Sequence, residues 1–144
     1  MSTINFLKSK LSKYYILDGA FASFCQKNTH RDFEVFIYSD FGEIKLKVTL
    51  KGVISVNYLS KVKQDDFIMD NEYIESAQPN PLNGFYWGIK SFIINNWEIK
   101  DSDPDLIELQ KDYNFKLYKL VFSVNSCNIS FIFHDLEIEE EKNN

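Results

Sequence analysis

The chain has 144 residues, of which 44% are hydrophobic and 26% charged, and its net charge is −5. These proportions are typical of a soluble globular protein and exclude the intrinsically disordered class. No apolar run reaches the ~18–20 residues that cross a bilayer, and Lys8, Lys10 and Lys13 interrupt the region where a secretion signal needs an apolar segment. The sequence therefore predicts one globular domain, 1–144, located in the cytoplasm.

The first predicted element is an amphipathic helix at the start of the chain. Thr3 is a suitable N-cap residue, and the apolar side chains that follow it recur at helical spacing. Those side chains are Ile4, Leu7, Leu11 and Tyr14. A basic amphipathic helix can lie on a membrane, but such helices more commonly dock on the core of their own domain, which is the prediction here.

Strands are predicted next, beginning with AFASFCQ as a candidate strand after a turn at Asp18 and Gly19. The segments DFEVFIYS (32–39) and EIKLKVTL (43–50) alternate apolar and polar residues, and a hairpin-length connection joins them. The same alternation resumes after Gly52. This glycine marks either a bend in one long strand or a tight turn into another strand.

The second half of the chain predicts a loop, a strand, a short helix and two further strands. QPNPLNGFYWG contains two prolines and an Asn-Gly pair, which predict the loop, and IKSFIINNWEI is the strand. Ser102 and Asp105 resemble a capping box, and Pro104 suits the first turn of a helix that ends near Lys111. The strands KLYKLVFSV and NISFIFHDLEI follow, and residues 139–144 are predicted to form a flexible acidic tail.

This order of elements indicates the fold class. Strands in runs, with short connections and few helices, are typical of the α+β class. The sequence therefore predicts a single domain built mostly of antiparallel β-sheet, with an N-terminal helix and one short later helix. A βαβ organisation is excluded because the strands do not alternate with helical segments.

One predicted strand carries lysines on its polar side although the whole protein is acidic. Lys45, Lys47 and Lys51 alternate with the apolar residues of this strand. Sheet-type nucleic-acid binders interleave such cations with exposed aromatic rings, whereas the alternate positions here hold small polar residues, and a pI near 5.0 repels a polyanion. Solvation and protection of an exposed edge strand are the favoured explanations, and pairing with Asp or Glu on a neighbouring strand is the alternative.

The acidic segment EIKDSDPDLIEL and the residues after it resemble a calcium loop in their spacing. The residues at loop positions 1, 3, 5 and 12 are Asp101, Asp103, Asp105 and Asp112. A calcium loop also requires glycine at position 6, where this chain has Leu106, and carboxylates at a helix start have a simpler explanation in the helix dipole. The sequence therefore predicts no metal and no cofactor.

Candidate catalytic groups are few. His134 lies beside Asp135, an arrangement that can orient an imidazole, but the pair belongs to no recognisable motif, so a hydrogen-bonded structural histidine is the prediction. Cys25 and Cys127 form neither a C-x-x-C pair nor a zinc spacing, so both are predicted to be buried free thiols, with a single disulfide left open. The protein is not predicted to be an enzyme.

Acidic and aromatic residues are the candidates for binding a partner protein. Residues 64–144 carry sixteen acidic residues against six lysines, whereas residues 1–63 are basic overall. Carboxylates can steer a basic partner, and Tyr and Trp commonly anchor protein interfaces. The candidate partner-binding residues are Asp65, Asp66, Glu72, Tyr86, Trp87, Trp97, Asp101, Asp103 and Asp105.

A resemblance supports this interpretation. The order of YYILDGAF, DFEVFIYSDFGEIKLKVTLKGVISV and a late pair of strands resembles small bacterial proteins predicted to be immunity proteins of polymorphic toxin systems. The resemblance covers about residues 14–59. It implies an α+β or β-rich single domain that binds and neutralises a cognate toxin, a basic toxin domain being the partner and neither nucleic acid nor a membrane the ligand. It carries over no functional residues.

Two other functions remain open. A small-molecule-binding domain, or an enzyme without a familiar motif, would have a pocket lined by the many Phe and Tyr side chains. A structural or regulatory protein of a mobile element is the third hypothesis. An internal apolar cavity of about 300 Å³ or more would favour the small-molecule hypothesis over the protein-binding one.

Overall fold

The computed structural model describes residues 3–14, 16, 20–29, 31–39, 44–60, 94–124 and 127–142. Within these residues the chain forms two helices and eight strands. The helices are α1 (Ile4–Ser12) and α2 (Pro104–Gln110). The strands are β1 (Ala20–Lys27), β2 (Asp32–Ser39), β3 (Ile44–Lys51), β4 (Ser55–Ser60), β5 (Ile94–Lys100), β6 (Tyr118–Val124), β7 (Cys127–Phe133) and β8 (Asp135–Lys142). Every described strand pair is antiparallel, which confirms the predicted α+β domain with its N-terminal helix and one short later helix.

The strands form two four-stranded sheets. The first sheet has the order β1-β2-β3-β8, and the second has the order β4-β7-β6-β5. Successive side chains of a strand point to opposite faces, so alternate residues of each sheet are buried between the two. Phe131 of β7 illustrates the contact, since its ring centroid lies 5.7 Å from that of Phe24 and 5.8 Å from that of Phe33, both in the first sheet. The two sheets therefore share one core.

Helix α1 closes one open side of this pair of sheets. It lies against β8 of the first sheet and β5 of the second. Thr3 caps the helix, its hydroxyl oxygen accepting a hydrogen bond from the Phe6 N–H at 3.3 Å, and Leu7 and Leu11 are buried. The predicted docking of this helix on the core is confirmed. Of the helices in the described part of the chain, none has the length and apolar composition needed to cross a membrane.

Gly52 is the point at which the chain passes from the first sheet to the second. Its φ angle is 63°, in the left-handed region that glycine occupies without a steric penalty. Beyond it, Val53 donates its N–H to the Arg31 carbonyl at 2.7 Å, and Ile54 donates to the Ile132 carbonyl at 2.8 Å. The alternation seen in the sequence continues in a separate strand, so the tight turn is confirmed and the single bent strand is wrong.

Helix α2 is present, but its cap differs from the predicted one. The N-cap residue is Asp103, not Ser102, and its side chain makes no capping hydrogen bond. Its carboxylate lies 3.4 Å from the Lys119 ammonium, so it is engaged by a lysine rather than by the N–H groups of the helix. Pro104 begins the helix as predicted, because proline lacks an N–H that the first turn would leave unpaired.

Helix α2 covers part of the outer face of the second sheet. Leu106 packs there with Leu117 and Ile132 in a small cluster separate from the main core. The Gln110 side chain then fixes the loop that follows: its Oε1 accepts from the Leu117 N–H at 2.8 Å, and its Nε2 donates to the Phe115 carbonyl at 2.9 Å. This loop is thereby tied to the last turn of α2 before the chain enters β6.

Strand β8 explains the row of lysines on β3. The two strands pair so that Lys45 lies opposite Glu141 and Lys47 opposite Glu139. The Nζ–Oε distances are 3.8 Å and 3.5 Å, respectively. Pairing with carboxylates of a neighbouring strand is therefore the correct explanation. Protection of an edge, which the sequence favoured, is wrong because β3 lies between β2 and β8. The predicted flexible tail is wrong for residues 139–142, because they form the end of β8.

The ion pairs between β3 and β8 continue at the other end of the strands. Lys51 Nζ lies 2.9 Å from Glu137 Oε1, and this hydrogen bond is the main cause of the raised pKa of Lys51. Exposed pairs of this kind each contribute only about 0–1 kcal/mol. A shift of one residue in the register would turn the charges toward the core, so the pairs chiefly help to specify the alignment of the strands.

The two cysteines are free thiols, and they differ in exposure. Cys127 is buried, but Cys25 is exposed and lies opposite Glu34 on the outer face of the first sheet. The prediction of two buried thiols is therefore wrong for Cys25. Burial raises the pKa of the Cys127 thiol, which lowers its thiolate fraction at neutral pH.

We expect Cys25 to react with a chromogenic disulfide reagent at pH 8 on the order of tenfold faster than Cys127, because reaction requires both access and a thiolate. Absorbance during the reaction of the native protein should show one fast thiol, with the second appearing on unfolding in guanidinium. Cys25→Ser should remove only the fast phase. Equal rates for both thiols, or no free thiol before a reductant is added, would contradict the described arrangement.

Candidate partner-binding surface

Four of the nine residues predicted to bind a partner lie in the described part of the chain. They are Trp97, Asp101, Asp103 and Asp105. The other five lie outside the described residues: Asp65, Asp66, Glu72, Tyr86 and Trp87. The four described residues follow one another closely in the chain, on β5 and the segment that leads into α2, and we call this region the β5–α2 corner. Of the four, only Trp97 lines the groove between α1 and β5.

Trp97 lies in a groove between α1 and β5. Its ring is half-buried and packs against Phe122 on the neighbouring strand, with the ring centroids 6.0 Å apart. The groove has a volume of about 300 Å³. Its walls include Lys8 and Leu11 from α1 and Trp97 and Glu98 from β5. Trp97 therefore packs on the core with part of its ring and lines an open groove with the rest.

Asp103 and Asp105 converge on Lys119 of β6. The Lys119 Nζ lies 3.4 Å from Asp103 Oδ2 and 3.0 Å from Asp105 Oδ2. Hydrogen bonds with Asp103 and then with Lys119 hold the pKa of Asp105 below its ordinary value. Burial disfavours the charged form of Lys119, but its hydrogen bond to Asp105 and the charges of both aspartates outweigh burial and raise its pKa. These two aspartates therefore offer a partner less negative charge than the sequence suggests.

Glu98 and Asp101 carry negative charge that is not compensated by an ion pair within the described ranges. Glu98 is exposed and lines the groove beside Trp97. Asp101 is half-buried at the end of β5, where burial first and then the charge of Asp101 raise the pKa of Tyr118. Glu98 was not among the predicted residues. Its exposure could have been predicted, because successive side chains of a strand point to opposite faces and Glu98 directly follows the core-packed Trp97.

His134 lies in the connection between β7 and β8 and is hydrogen-bonded there. Its Nδ1 donates a hydrogen bond to the Lys116 carbonyl at 2.8 Å, and the Phe115 ring packs edge-on against the imidazole with the centroids 4.9 Å apart. The predicted hydrogen-bonded histidine is confirmed. Among the described residues, including the aspartates after β5, no three His, Cys, Asp or Glu side chains are arranged to hold a metal ion.

The comparison with protein families covers almost the whole chain. A family model described as YxiG-like protein matches residues 6–144. The chain belongs to the YxiG-like family. A comparison with curated proteins gives no match. The region matched by the YxiG-like model includes both sheets and the β5 wall of the groove beside Trp97.

Proposed function

We propose that this protein binds another protein in the cytoplasm and acts as an immunity-type inhibitor that neutralises a cognate toxin. The observation that carries the proposal is the groove between α1 and β5, where the half-buried Trp97 lies beside the exposed carboxylate of Glu98. The sequence resemblance over about residues 14–59 supports the same class of function.

Trp97 is suited to anchor such an interface. Tryptophan is among the residues that dominate binding energy when a partner covers them. Its packing against Phe122 holds the ring in place before binding, so covering the ring costs little conformational entropy. The half-buried Tyr14, which follows α1 and lines the same groove, extends the aromatic surface that a partner side chain would meet.

The charge of this corner suits a basic partner. Residues 94–112 contain six carboxylates and two lysines, and Lys119 compensates part of the excess. Glu98 and Asp101 have no such compensation in the described part of the chain. Charges at the rim of an interface mainly accelerate the encounter with an oppositely charged partner. A basic toxin domain is therefore the partner that we propose.

A small-molecule ligand is the alternative occupant of the groove. Ligand pockets commonly have volumes of about 300–1,000 Å³ and mainly apolar linings. The groove lies at the lower limit of that range, and Lys8 and Glu98 give it a charged lining. Both features favour a protruding side chain of a protein partner over an enclosed small molecule.

The proposal predicts a salt-dependent association that particular carboxylates control. We expect the product of a neighbouring gene to bind, with an association rate that falls as salt shortens the Debye length from ~10 Å at 0.1 M to ~3 Å at 1 M. Glu98→Gln combined with Asp101→Asn should slow association about three- to tenfold and leave dissociation nearly unchanged. Surface plasmon resonance measures both rates.

A matched control removes the same charge from the first sheet. Glu34→Gln with Glu141→Gln changes two carboxylates on the outer face of that sheet, neither of which lines the groove, and should leave the association rate near that of the wild type. Equal slowing by both pairs of substitutions would mean that net charge, not this corner, controls association. Failure of every neighbouring gene product to bind would contradict the immunity-type function itself.

The same assay includes a test of the anchor. Trp97→Ala should accelerate dissociation by an amount equivalent to about 2 kcal/mol or more. A side chain that the partner buries mainly determines how fast the formed complex dissociates. Trp97→Phe keeps an aromatic ring against Phe122 and should have an intermediate effect. Circular dichroism must show native folding for both variants. A folded Trp97→Ala variant that binds like the wild type would show that the groove is not the interface.

A further inference from the structure

The two sheets have four edge strands, which are β1 and β8 in the first sheet and β4 and β5 in the second. An edge strand presents unpaired N–H and C=O groups, and proteins usually protect it with charges, prolines, bulges or a covering helix. Within the described residues, three of the four edges carry such protection. Strand β4 is the exception.

The protection of the other three edges is visible in their pairing and composition. The register of β1 shifts between Phe21 and Ser23, and that of β5 shifts between Ile94 and Asn96. Strand β8 carries four glutamates. Helix α1 lies against both β8 and β5. Each of these edges is therefore irregular, charged or partly covered.

Strand β4 has none of these features. Its sequence, SVNYLS, contains no charged residue and no proline, and its pairing with β7 is regular over the whole strand. In the described ranges no strand pairs with its outer edge. Tyr58 and Leu59 are 44% and 62% exposed. The Tyr58 ring packs on Phe24 of β1 with centroids 5.4 Å apart, so its orientation is set before a partner binds.

We propose that β4 pairs in antiparallel orientation with β4 of a second copy of this chain, joining the two second sheets into one eight-stranded sheet. The absence of charged residues on β4 favours a second copy of the chain as the partner. Residues near a twofold axis meet their own copies, so a charged residue there would face a like charge. All six residues of β4 are uncharged. A basic segment of a toxin, by contrast, would find no carboxylate on β4.

The pleat of the strand limits how two copies can align. A twofold axis perpendicular to the sheet keeps the core-facing sides of both copies continuous, so a residue pairs only with one on the same face. With Asn57 on the axis, Val56 of each copy lies opposite Tyr58 of the other on the core-facing side. Aromatic and β-branched residues stabilise antiparallel strands when paired in this way. Because both β4 edges are then paired with each other, no third copy can add to the sheet through β4.

This inference is independent of the proposed function. Strands β4 and β5 are opposite edges of the second sheet. Pairing through β4 therefore leaves the groove beside Trp97 accessible in each copy, and the two surfaces can be tested separately.

The test is the mass of the purified protein in solution. Analytical ultracentrifugation should give twice the 17.0 kDa mass of the chain for the wild type. Asn57→Lys places a charge next to its own copy and should raise the dimer dissociation constant on the order of tenfold or more. The control is Asn128→Lys, which makes the same change on the same outer face, opposite Leu59 but one strand away from the edge. It should leave the dimer intact.

Several outcomes would overturn the proposal. One is a wild-type chain that sediments as a monomer at concentrations of about 10–200 μM, a range in which a specific interface persists. Another is an Asn57→Lys variant that dimerises as well as Asn128→Lys. A monomeric wild type whose toxin binding is abolished by Asn57→Lys alone would assign the edge to a toxin strand instead. The Glu98→Gln and Asp101→Asn variant should dimerise normally, which separates this test from that of the proposed function.

Discussion

Replacing Phe131 with alanine should lower the free energy of unfolding by about 3–5 kcal/mol, the range for a large aromatic side chain removed from a core. Phe131 is fully buried at the centre of the contact between the two sheets. Its ring centroid lies 5.7 Å from that of Phe24, 5.8 Å from that of Phe33 and 6.4 Å from that of Phe122. Removal of the ring therefore leaves a cavity that touches both sheets. Urea denaturation followed by circular dichroism measures the change.

Two further variants make the Phe131 experiment interpretable. A domain has only about 5–15 kcal/mol of stability, so Phe131→Leu, which should cost less, provides a variant that remains folded. Phe6→Ala is the control, because Phe6 is 52% exposed on α1 and its ring contacts the Lys10 ammonium at 4.8 Å. The free energy of unfolding of the Phe6→Ala variant should fall by no more than about 1 kcal/mol. Equal losses at Phe6 and Phe131 would contradict the shared core.

Replacing Gly52 with valine should destabilise the fold by about 2–3 kcal/mol, for two reasons that add. The φ angle of 63° is strongly unfavourable for a β-branched residue. A Cβ atom at this position would also lie 3.2 Å from the Cβ of His134, which is tighter than ordinary van der Waals contact. Thermal and urea unfolding of the variant measure the loss.

Gly52→Asn separates the two reasons. Asparagine tolerates the left-handed region better than other side chains but introduces the same Cβ. The Gly52→Asn variant should therefore lose about 1 kcal/mol less stability than the Gly52→Val variant. If the two variants lose the same stability, the close approach of His134, and not the backbone angle, is the main reason for glycine at this position. A Gly52→Val variant as stable as the wild type would contradict the crossover between the sheets at this residue.

The proposed binding corner could be predicted only in part from the sequence. The types of residue that bind proteins are visible in the sequence, and Trp97 and Asp101 lie where a partner could reach them. Nothing in the local pattern indicates that Lys119 approaches Asp103 and Asp105, because Lys119 belongs to a different element, β6. Ion pairing between separate elements depends on which strands are neighbours, and local alternation carries no such information.

By itself, the sequence determined most of the helices and strands through local periodicity. The single strand predicted for NISFIFHDLEI is wrong, because the chain bends at His134 and forms β7 and β8 in different sheets. Leu7 and Leu11 recur at helical spacing and are the buried residues of α1. The predicted strands 32–39 and 43–50 match Asp32–Ser39 and Ile44–Lys51 to within one residue at each end. Such agreement is expected because the backbone geometry of each element repeats every 2 or 3.6 residues and exposes one face regularly.

The tertiary structure alone decided which strands are neighbours. Lys51 and Glu137 are 86 positions apart in the chain, yet they form an ion pair because β8 lies beside β3. The same arrangement turns the expected acidic tail into a strand and leaves Cys25 exposed while Cys127 is buried. A sequence of alternating residues specifies two faces for each strand, but long-range packing of those faces decides which strand lies next to which.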